Sequence, residues 1–343
     1  MTAPIPTCRL DRRVRPAAAA AVAMAAATLA FFGGGCEPQP PEAAASGEAP
    51  ASEQDHALPL IEASGLVIRG GGRVAVVCGD EAPDHLWGVS LDDPDERWPL
   101  AFPPDTPGLD DLESLAPWGE HNLLAATSQT RTKNKEKARP ARNRLALISL
   151  TPDARHVVGV HVYENLRGDL IRFLTLECGN LFENVQAIVL RGPNNGGLNV
   201  EGMAVWRGRL LLGLRSPLSR GKPIVVPMTN PEAVTEGGRP PEFAAPLVLP
   251  TEPDEAIRGL TEGPDETVLV LLGPGTDAPG PPQRIVRWWP DENRIEEVKV
   301  PAIEGIDRAE ALAVDAEGRL VLVTDYRLPQ PRQVFHRLQM ETP

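Results

Sequence analysis

Five segments of the chain carry a residue of chemical interest at the same position of a shared pattern. Three of these residues are glutamates, and the other two are a serine and an arginine. They are Ser64, Glu113, Glu201, Arg258 and Glu310. Carboxylates that converge on a narrow space either bind a cation or share protons, because each one raises the cost of ionising the others. The pattern therefore suggests a hard-cation site, for example for Ca²⁺, or acid–base chemistry.

Further polar residues stand two positions earlier, where the alternation of a strand places their side chains on the same face. The complete set of candidates for a polar ring is Asp111, Glu113, Asn199, Glu201, Arg258, Arg308 and Glu310. Within that set, Glu113, Glu201 and Glu310 are the candidate metal ligands. A ring without any ligand, in which the carboxylates pair with Arg258 and Arg308, is the alternative.

The elements that must position these residues form a repeat. Each residue lies in a short predicted strand that is followed by a turn and by an almost wholly apolar second strand, such as Leu210–Leu214. In all five segments the second strand ends 14 or 15 residues after the repeat residue. With the candidate strands that follow, the units have roughly forty to fifty residues, which is typical of β-propeller blades. The sequence therefore predicts an all-β propeller whose inner strands line a central channel.

Five blades are expected, with one inserted helix. Residues 165–179, in the wide interval between Glu113 and Glu201, have apolar residues near the helical period. A degenerate sixth blade that includes 185–190 is the alternative. The last unit is one strand short, so residues 58–62 could pair there and close the ring.

The first 36 residues predict an export signal. Arginines precede an uncharged run over 17–32, which is shorter than a membrane-spanning helix requires. Gly33-Gly-Gly-Cys36 follows, as in a bacterial lipobox, although Gly33 stands where leucine is usual. Lipidation of Cys36 would anchor the protein to a membrane, on the periplasmic side of the cell envelope; plain secretion is the alternative.

Two further segments follow this signal. Residues 37–56 are rich in Pro, Ala, Ser and Glu and predict a disordered tether. Residues 57–343 are then expected to form a single propeller domain.

A basic run stands out in an otherwise acidic chain. Residues 131–144 contain seven lysines and arginines, in a predicted loop after the second strand of the Glu113 unit. Together with the arginine that ends the corresponding strand of the next unit, this run could bind phosphate, sulfate or carboxylate groups. The candidates for such an anion site are Arg131, Lys133, Arg142 and Arg215. A solvated loop is the alternative.

Composition narrows the class of partner. The formal net charge of −13 opposes binding to nucleic acid, and the basic run has no interleaved aromatic residues. Cys78 and Cys178 are the two cysteines of the predicted domain, and they could form a disulfide or remain two buried thiols. We expect a monomer.

The motifs resemble a bacterial family known only as a domain of unknown function, DUF3616. The resemblance rests on Asp111-Leu-Glu-Ser-Leu-Ala, on Asn199-Val-Glu-Gly-Met-Ala with Gly213-Leu-Arg-Ser-Pro217, and on Ala309-Glu-Ala-Leu. It extends from about Ile61 onward and implies an exported propeller without an established activity. More remotely, the pattern is similar to esterase-like phytase and lactonase-type propellers, which is an analogy of fold.

Two functions are open from the sequence. The first is an exported, membrane-anchored propeller that binds an ion, a small anionic ligand or an envelope protein at its channel face. The second is a metal-assisted hydrolase of phosphoester, ester or lactone substrates.

Overall fold

A computed structural model of the chain describes residues 63–79, 82–93, 95–278, 280–300, 308–324, 336–338 and 340. All of these residues belong to one compact unit, Gln54–Pro343. The predicted export signal, the tether and the strand over 58–62 lie outside the described residues. In the part of the chain that is described, no helix is long and apolar enough to cross a membrane.

Antiparallel sheets of consecutive strands make up the fold. The first sheet contains β1 (Ala63–Arg69), β2 (Val74–Gly79), β3 (His85–Ser90) and β4 (Arg97–Ala101). The second contains β5 (Leu112–Trp118), β6 (Asn122–Thr127), β7 (Leu145–Leu150) and β8 (Val157–Tyr163). The third contains β9 (Asn199–Trp206), β10 (Arg209–Ser219), β11 (Lys222–Met228) and β12 (Leu247–Val248).

Two more sheets follow along the chain. The fourth contains β13 (Glu255–Glu262), β14 (Val268–Pro274), β15 (Arg284–Trp289) and β16 (Arg294–Glu297). The last contains β17 (Ala309–Val314), β18 (Leu320–Thr324) and β19 (His336–Leu338). The described residues thus form four complete four-stranded blades of an all-β propeller and a further sheet of three strands.

The inner strands pack side by side around an axis. Strand β1 contacts β5, β5 contacts β9, β9 contacts β13, β13 contacts β17, and β17 contacts β1. The repeat residues of all five segments lie in these strands, as the shared pattern predicted. Their second strands are almost wholly buried, because each one is covered on both faces by the neighbouring blades.

Helices fill the wide interval between the second and third blades. The predicted inserted helix is present as α1 (Leu166–Leu176), with its apolar side buried in the core cluster that includes Leu210 and Leu212. Helix α2 (Val185–Leu190) follows it, and a short helix α3 (Pro231–Thr235) lies between β11 and β12. The alternative of a degenerate sixth blade through 185–190 is wrong, because Asn184 caps these residues as a helix through its side-chain oxygen.

Candidate functional site

Every inner strand is bulged at its repeat position. The pairing between the first and second strands of each sheet skips one residue of the inner strand. The skipped residues are Ser64, Glu113, Glu201, Arg258 and Glu310. A bulge frees a residue from the regular ladder and redirects its side chain. The five repeat positions are therefore structurally equivalent, because each one is the bulged residue of its inner strand.

Glu201 is the centre of a buried ionic network. One carboxylate oxygen accepts a hydrogen bond from Arg215 Nη1 at 2.7 Å and another from Asn199 Nδ2 at 2.7 Å. The other oxygen lies 2.8 Å from Arg258 Nη1. Only 4% of the Glu201 side chain is exposed, and 5% of the Arg215 side chain. Strands β9, β10 and β13 thus bring a single carboxylate between two guanidinium groups.

Arg258 connects this carboxylate to a second one. Its Nη2 donates a hydrogen bond to Glu310 Oε2, so that the guanidinium bridges glutamates of β9 and β17. The charge of Glu113, from β5, also acts on Arg258. The structure therefore brings together Glu113, Asn199, Glu201, Arg258 and Glu310 of the predicted ring, and it adds Arg215.

The two glutamates that share Arg258 have opposite shifts in pKa. Burial raises the pKa of the Glu201 carboxyl, but Arg215 and Arg258 outweigh it and the net pKa is lowered. Burial also raises the pKa of Glu310, and here the charge of Arg258 does not compensate, so the net pKa is raised. The same carboxylates keep the Arg258 guanidinium protonated, because they raise its pKa in spite of its burial.

The other two members of the predicted ring lie apart from this network. Asp111 is buried, accepts hydrogen bonds from Ser128 and Thr130, and pairs with Arg142 Nη1 at 2.8 Å. Burial raises its pKa more than Arg142 lowers it. Arg308 is exposed and makes no ion pair within the described part of the chain. Both residues have a positive φ, 64° and 59°, so the regular alternation on which their placement was predicted does not hold there.

The predicted ligand set for Ca²⁺ does not fit what the structure assembles. Both oxygens of Glu201 face arginines, and Glu310 faces Arg258. Among the described residues, no group of three or more His, Cys, Asp or Glu side chains is placed to hold a metal ion. Carboxylates already neutralised by guanidinium groups are poor ligands for a cation. Glu201 and Glu310 are therefore poorly placed to serve as ligands of a cation in this arrangement.

The four predicted anion-binding residues separate into three places. Arg142 pairs with Asp110 and Asp111, and Arg131 donates to the carbonyl oxygen of Glu136. Arg215 and Lys133 meet at a residue that the sequence did not single out, Asp277. Only these two of the four cations thus share one anion.

Asp277 occupies a small cationic pocket. Its Oδ1 accepts from Arg215 Nη2 at 2.9 Å, and its Oδ2 accepts from Asn194 Nδ2 at 3.0 Å and lies 3.7 Å from Lys133 Nζ. Partial burial would raise its pKa, but the hydrogen bonds from Asn194 and Arg215 and the charge of Lys133 hold the pKa well below its ordinary value. Asp277 lies in a Gly- and Pro-rich loop between β14 and β15, and 44% of its side chain is exposed. We name this set, Lys133, Asn194, Arg215 and Asp277, the Asp277 pocket.

The two cysteines of the domain are buried thiols in the structure, the second of the two states expected for them, and no disulfide joins them. The Cys78 thiol donates to the carbonyl oxygen of Leu112 at 3.6 Å. Cys178 packs in a different core cluster, together with residues of α1 and β10. Since each thiol packs in a separate core cluster, a disulfide between them would require the core to rearrange.

Solved structures that resemble this chain share little sequence with it. The Dos1 propeller is 10% identical, with a TM-score of 0.35, over 77% of this chain and 52% of that one, so the chain spans about half of its length. The glutaminyl cyclase of Myxococcus xanthus is 12% identical, with a TM-score of 0.45, over 83% and 96%. A proposed gluconolactonase is 12% identical, with a TM-score of 0.41, over 82% and 89%. No curated protein matches the chain.

The family resemblance predicted from the motifs is confirmed over a shorter range than expected. The matching residues, 182–238, contain strands β9, β10 and β11, and with them Glu201 and Arg215. The family model that matches this part of the chain is the one described as "Protein of unknown function (DUF3616)".

Proposed function

We propose that this protein is an exported, lipid-anchored propeller that binds a small anionic ligand at the channel face, in the Asp277 pocket. In this proposal the three-stranded sheet is a fifth blade that the N-terminal strand over 58–62 completes. The unbroken cycle of contacts between the five inner strands supports that count. The ligand is a compound with a carboxylate or phosphate group, recognised by Arg215 and Lys133.

The observation that carries the proposal is the position of the Asp277 carboxylate. It is held by side chains from three other segments: the loop after β6, the turn at 193–195, and β10. An arginine, a lysine and an amide that converge on one carboxylate form an anion site by their chemistry. Because Asp277 is half exposed and sits in a loop, its carboxylate stands where the anionic group of a ligand could bind.

The ionic network around Glu201 holds Arg215 in its place in the Asp277 pocket. Arg215 reaches Glu201 with Nη1 and Asp277 with Nη2. The buried contact fixes the guanidinium, so its second edge is presented without the entropy cost of ordering a long side chain. The hydrolase hypothesis needs a metal on the ring carboxylates, and two of these, Glu201 and Glu310, are engaged with arginines. Anion binding is therefore the function that the geometry favours.

Removal of the internal carboxylate should expose the pocket. We expect Asp277→Ala to bind succinate or inorganic phosphate at least tenfold more tightly than the wild-type protein, because the ligand no longer competes with a tethered anion. Isothermal titration calorimetry of the purified domain at fixed ionic strength measures this. Asp92→Ala serves as the matched control, since Asp92 pairs with Arg73 at an exposed position.

A second variant assigns the effect to the pocket. Lys133→Met in the Asp277→Ala background should lower the affinity again, because it removes one of the two charges that face the ligand. Equal affinities in the wild-type, Asp277→Ala and Asp92→Ala proteins, or no binding by any of them, would exclude the proposal.

The membrane anchor is tested separately. We expect the full chain to incorporate labelled palmitate when it is produced in a bacterium that processes lipoproteins, and Cys36→Ala to lose the label and leave the membrane fraction. Cys8→Ala is the control, because Cys8 lies within the predicted signal. An unlabelled wild-type protein would show that Cys36 is not a lipidation site.

A further inference from the structure

A cavity lies where the inner strands end, away from the repeat residues at the beginnings of these strands. Its volume is about 670 Å³, and ligand sites in proteins usually have volumes of roughly 300–1,000 Å³. The last residues of β1, Val67–Arg69, line it, together with the last residues of β13 and of β17. None of its lining residues belongs to the ionic network around Glu201 or to the Asp277 pocket. We name this space the Arg69 cavity.

Much of the wall of the Arg69 cavity is apolar. Its aliphatic part is formed by Val67, Ile68, Pro117, Ala313, Val314 and Met340. Two of these residues, Val67 and Ala313, are buried, and the other four are half-buried. Transfer of an apolar group from water to such a wall is favourable. The wall therefore suits the apolar body of a small organic molecule.

Arg69 adds a positive charge to this wall. It is half-buried, its Nη1 donates to the carbonyl oxygen of Ile68 at 3.2 Å, and its Nη2 donates to the carbonyl oxygen of Asn122. Its Nε is buried without a hydrogen-bond partner in the described part of the chain. Burial lowers the pKa of Arg69 to about 10, which leaves the guanidinium protonated at neutral pH. Among the described residues, Arg69 thus contacts neutral acceptors and no carboxylate.

Arg287, in β15, is a second cation of the same cavity. It is half-buried, and its Nε is also buried without a partner among the residues that the structure describes. Glu296, which is opposite Arg287 in the pairing of β15 with β16, lies 3.6 Å from Arg294 instead. The Arg287 guanidinium is 6.0 Å from the centre of the Trp289 ring. A charge that is partly removed from water without a counter-charge costs free energy, and an anion in the cavity would offset that cost.

Two carboxylates at the opening of the cavity limit the charge of such an anion. Glu317 is exposed, and its Oε2 accepts from Arg319 Nη2 at 2.8 Å. Glu262 is exposed to solvent. Because like charges repel, these two residues disfavour a ligand with several negative charges relative to a ligand with one.

We propose that the Arg69 cavity is a second ligand site, which binds a small organic monocarboxylate. The apolar body of the ligand lies against the aliphatic wall, and the positive charges of Arg69 and Arg287 hold its carboxylate. An apolar wall with a small number of polar groups that fix the orientation of the ligand is typical of sites for small molecules. This site does not depend on the proposed function, since it shares no residue with the Asp277 pocket.

The test is a calorimetric titration of the full chain with sodium benzoate, benzyl alcohol and sodium acetate, with ionic strength held constant by sodium chloride. We expect saturable binding of benzoate, and a melting temperature that rises with its concentration. Benzyl alcohol has the apolar ring without the charge, and acetate has the charge without the ring. Each should bind at least about tenfold more weakly than benzoate, because each lacks one of the two interactions.

Variants of the two arginines assign the binding to this cavity. Arg69→Met and Arg287→Met should each lower the affinity for benzoate at least about tenfold. Arg209→Met is the matched control and should leave it unchanged. Arg209 is an exposed cation at the start of β10, next to the end of the inner strand β9, and it does not line the cavity.

Two further measurements separate this site from a structural role and from the Asp277 pocket. Without benzoate, Arg287→Met should melt at the temperature of the wild-type protein, because its side chain makes no hydrogen bond with a described residue; it therefore remains informative even if Arg69→Met does not fold. Lys133→Met should retain the affinity for benzoate, because Lys133 belongs to the Asp277 pocket. The proposal is overturned if the wild-type protein shows no saturable binding of benzoate, if benzyl alcohol binds as tightly, or if Arg287→Met binds benzoate as tightly as Arg209→Met.

Discussion

Glu201→Gln should lower the free energy of unfolding by about 3–5 kcal/mol at neutral pH, the usual cost of leaving a buried charge without its partner. Glu201 is the single carboxylate between Arg215 and Arg258, at 2.7 and 2.8 Å. The glutamine keeps the shape of the side chain but removes its charge, so two buried guanidinium groups would face each other across a neutral amide. Urea denaturation followed by tryptophan fluorescence measures the change.

An exposed ion pair provides the matched control. Arg207 pairs with Glu266 and Asp291 on the surface, where water and salt screen the interaction. Glu266→Gln should therefore leave the denaturation midpoint unchanged within error. If Glu201→Gln and Glu266→Gln have the same midpoint, the network does not contribute to stability as its burial indicates.

The dependence on pH distinguishes the two glutamates that share Arg258. The pKa of Glu201 is lowered from its ordinary value of 4.5. Its contribution to the free energy of unfolding is therefore present above pH 4.5 and is lost as the pH falls through the pKa that Glu201 has in the folded protein. The pKa of Glu310 is raised. Its contribution to the free energy of unfolding is therefore complete below pH 4.5 and declines as the pH rises through the pKa that Glu310 has in the folded protein. Glu310→Gln should therefore flatten the loss of stability above pH 4.5, whereas Glu201→Gln should remove the loss below it. Identical pH profiles for the two variants would contradict this assignment.

The position of the network could be predicted from the sequence because a repeat carries it. The constant interval between each repeat residue and the end of the following strand fixes equivalent backbone positions, and Glu113, Glu201, Arg258 and Glu310 follow that rule. The bulge that they share was not visible in the pattern, because a bulge is a feature of the pairing between two strands, and the spacing of residues along the chain does not show that pairing. The repeat pattern therefore predicts which backbone positions carry the ring residues, but it does not predict the orientation of their side chains.

What the sequence could not predict depends on contacts between segments that are far apart. Asp277 reaches Asn194 across 83 residues and Arg215 across 62, and no local pattern in its loop indicates either contact. Asp111 stands two residues before Glu113 on a nominal strand, yet its positive φ turns it toward Arg142. The helix at 185–190 was open to a strand interpretation because a run of six residues is too short for periodicity to decide.

The geometry of the network also depends on an apolar contact between blades. Ile257, the residue before Arg258, is fully buried and lies against two glycines of the neighbouring blade. A Cβ atom added to Gly202 or to Gly213 would lie 2.8 Å from Ile257 Cγ2. Since these two glycines pair across β9 and β10, they leave a hollow that the isoleucine fills. This contact sets how closely β13, and with it Arg258, approaches Glu201.

Ile257→Ala should therefore cost about 2–5 kcal/mol of unfolding free energy, from lost burial and from the cavity left between the blades. Ile257→Val, which removes one methylene group, should cost about 0.5–1.5 kcal/mol. Leu176→Ala is the control, because Leu176 is 77% exposed on α1, and it should leave the denaturation midpoint unchanged within error. Double-mutant cycles between Ile257→Ala and Glu201→Gln should give a non-zero coupling energy, since the cavity loosens the position of Arg258. Strictly additive effects would mean that the packing of the blades does not control the network.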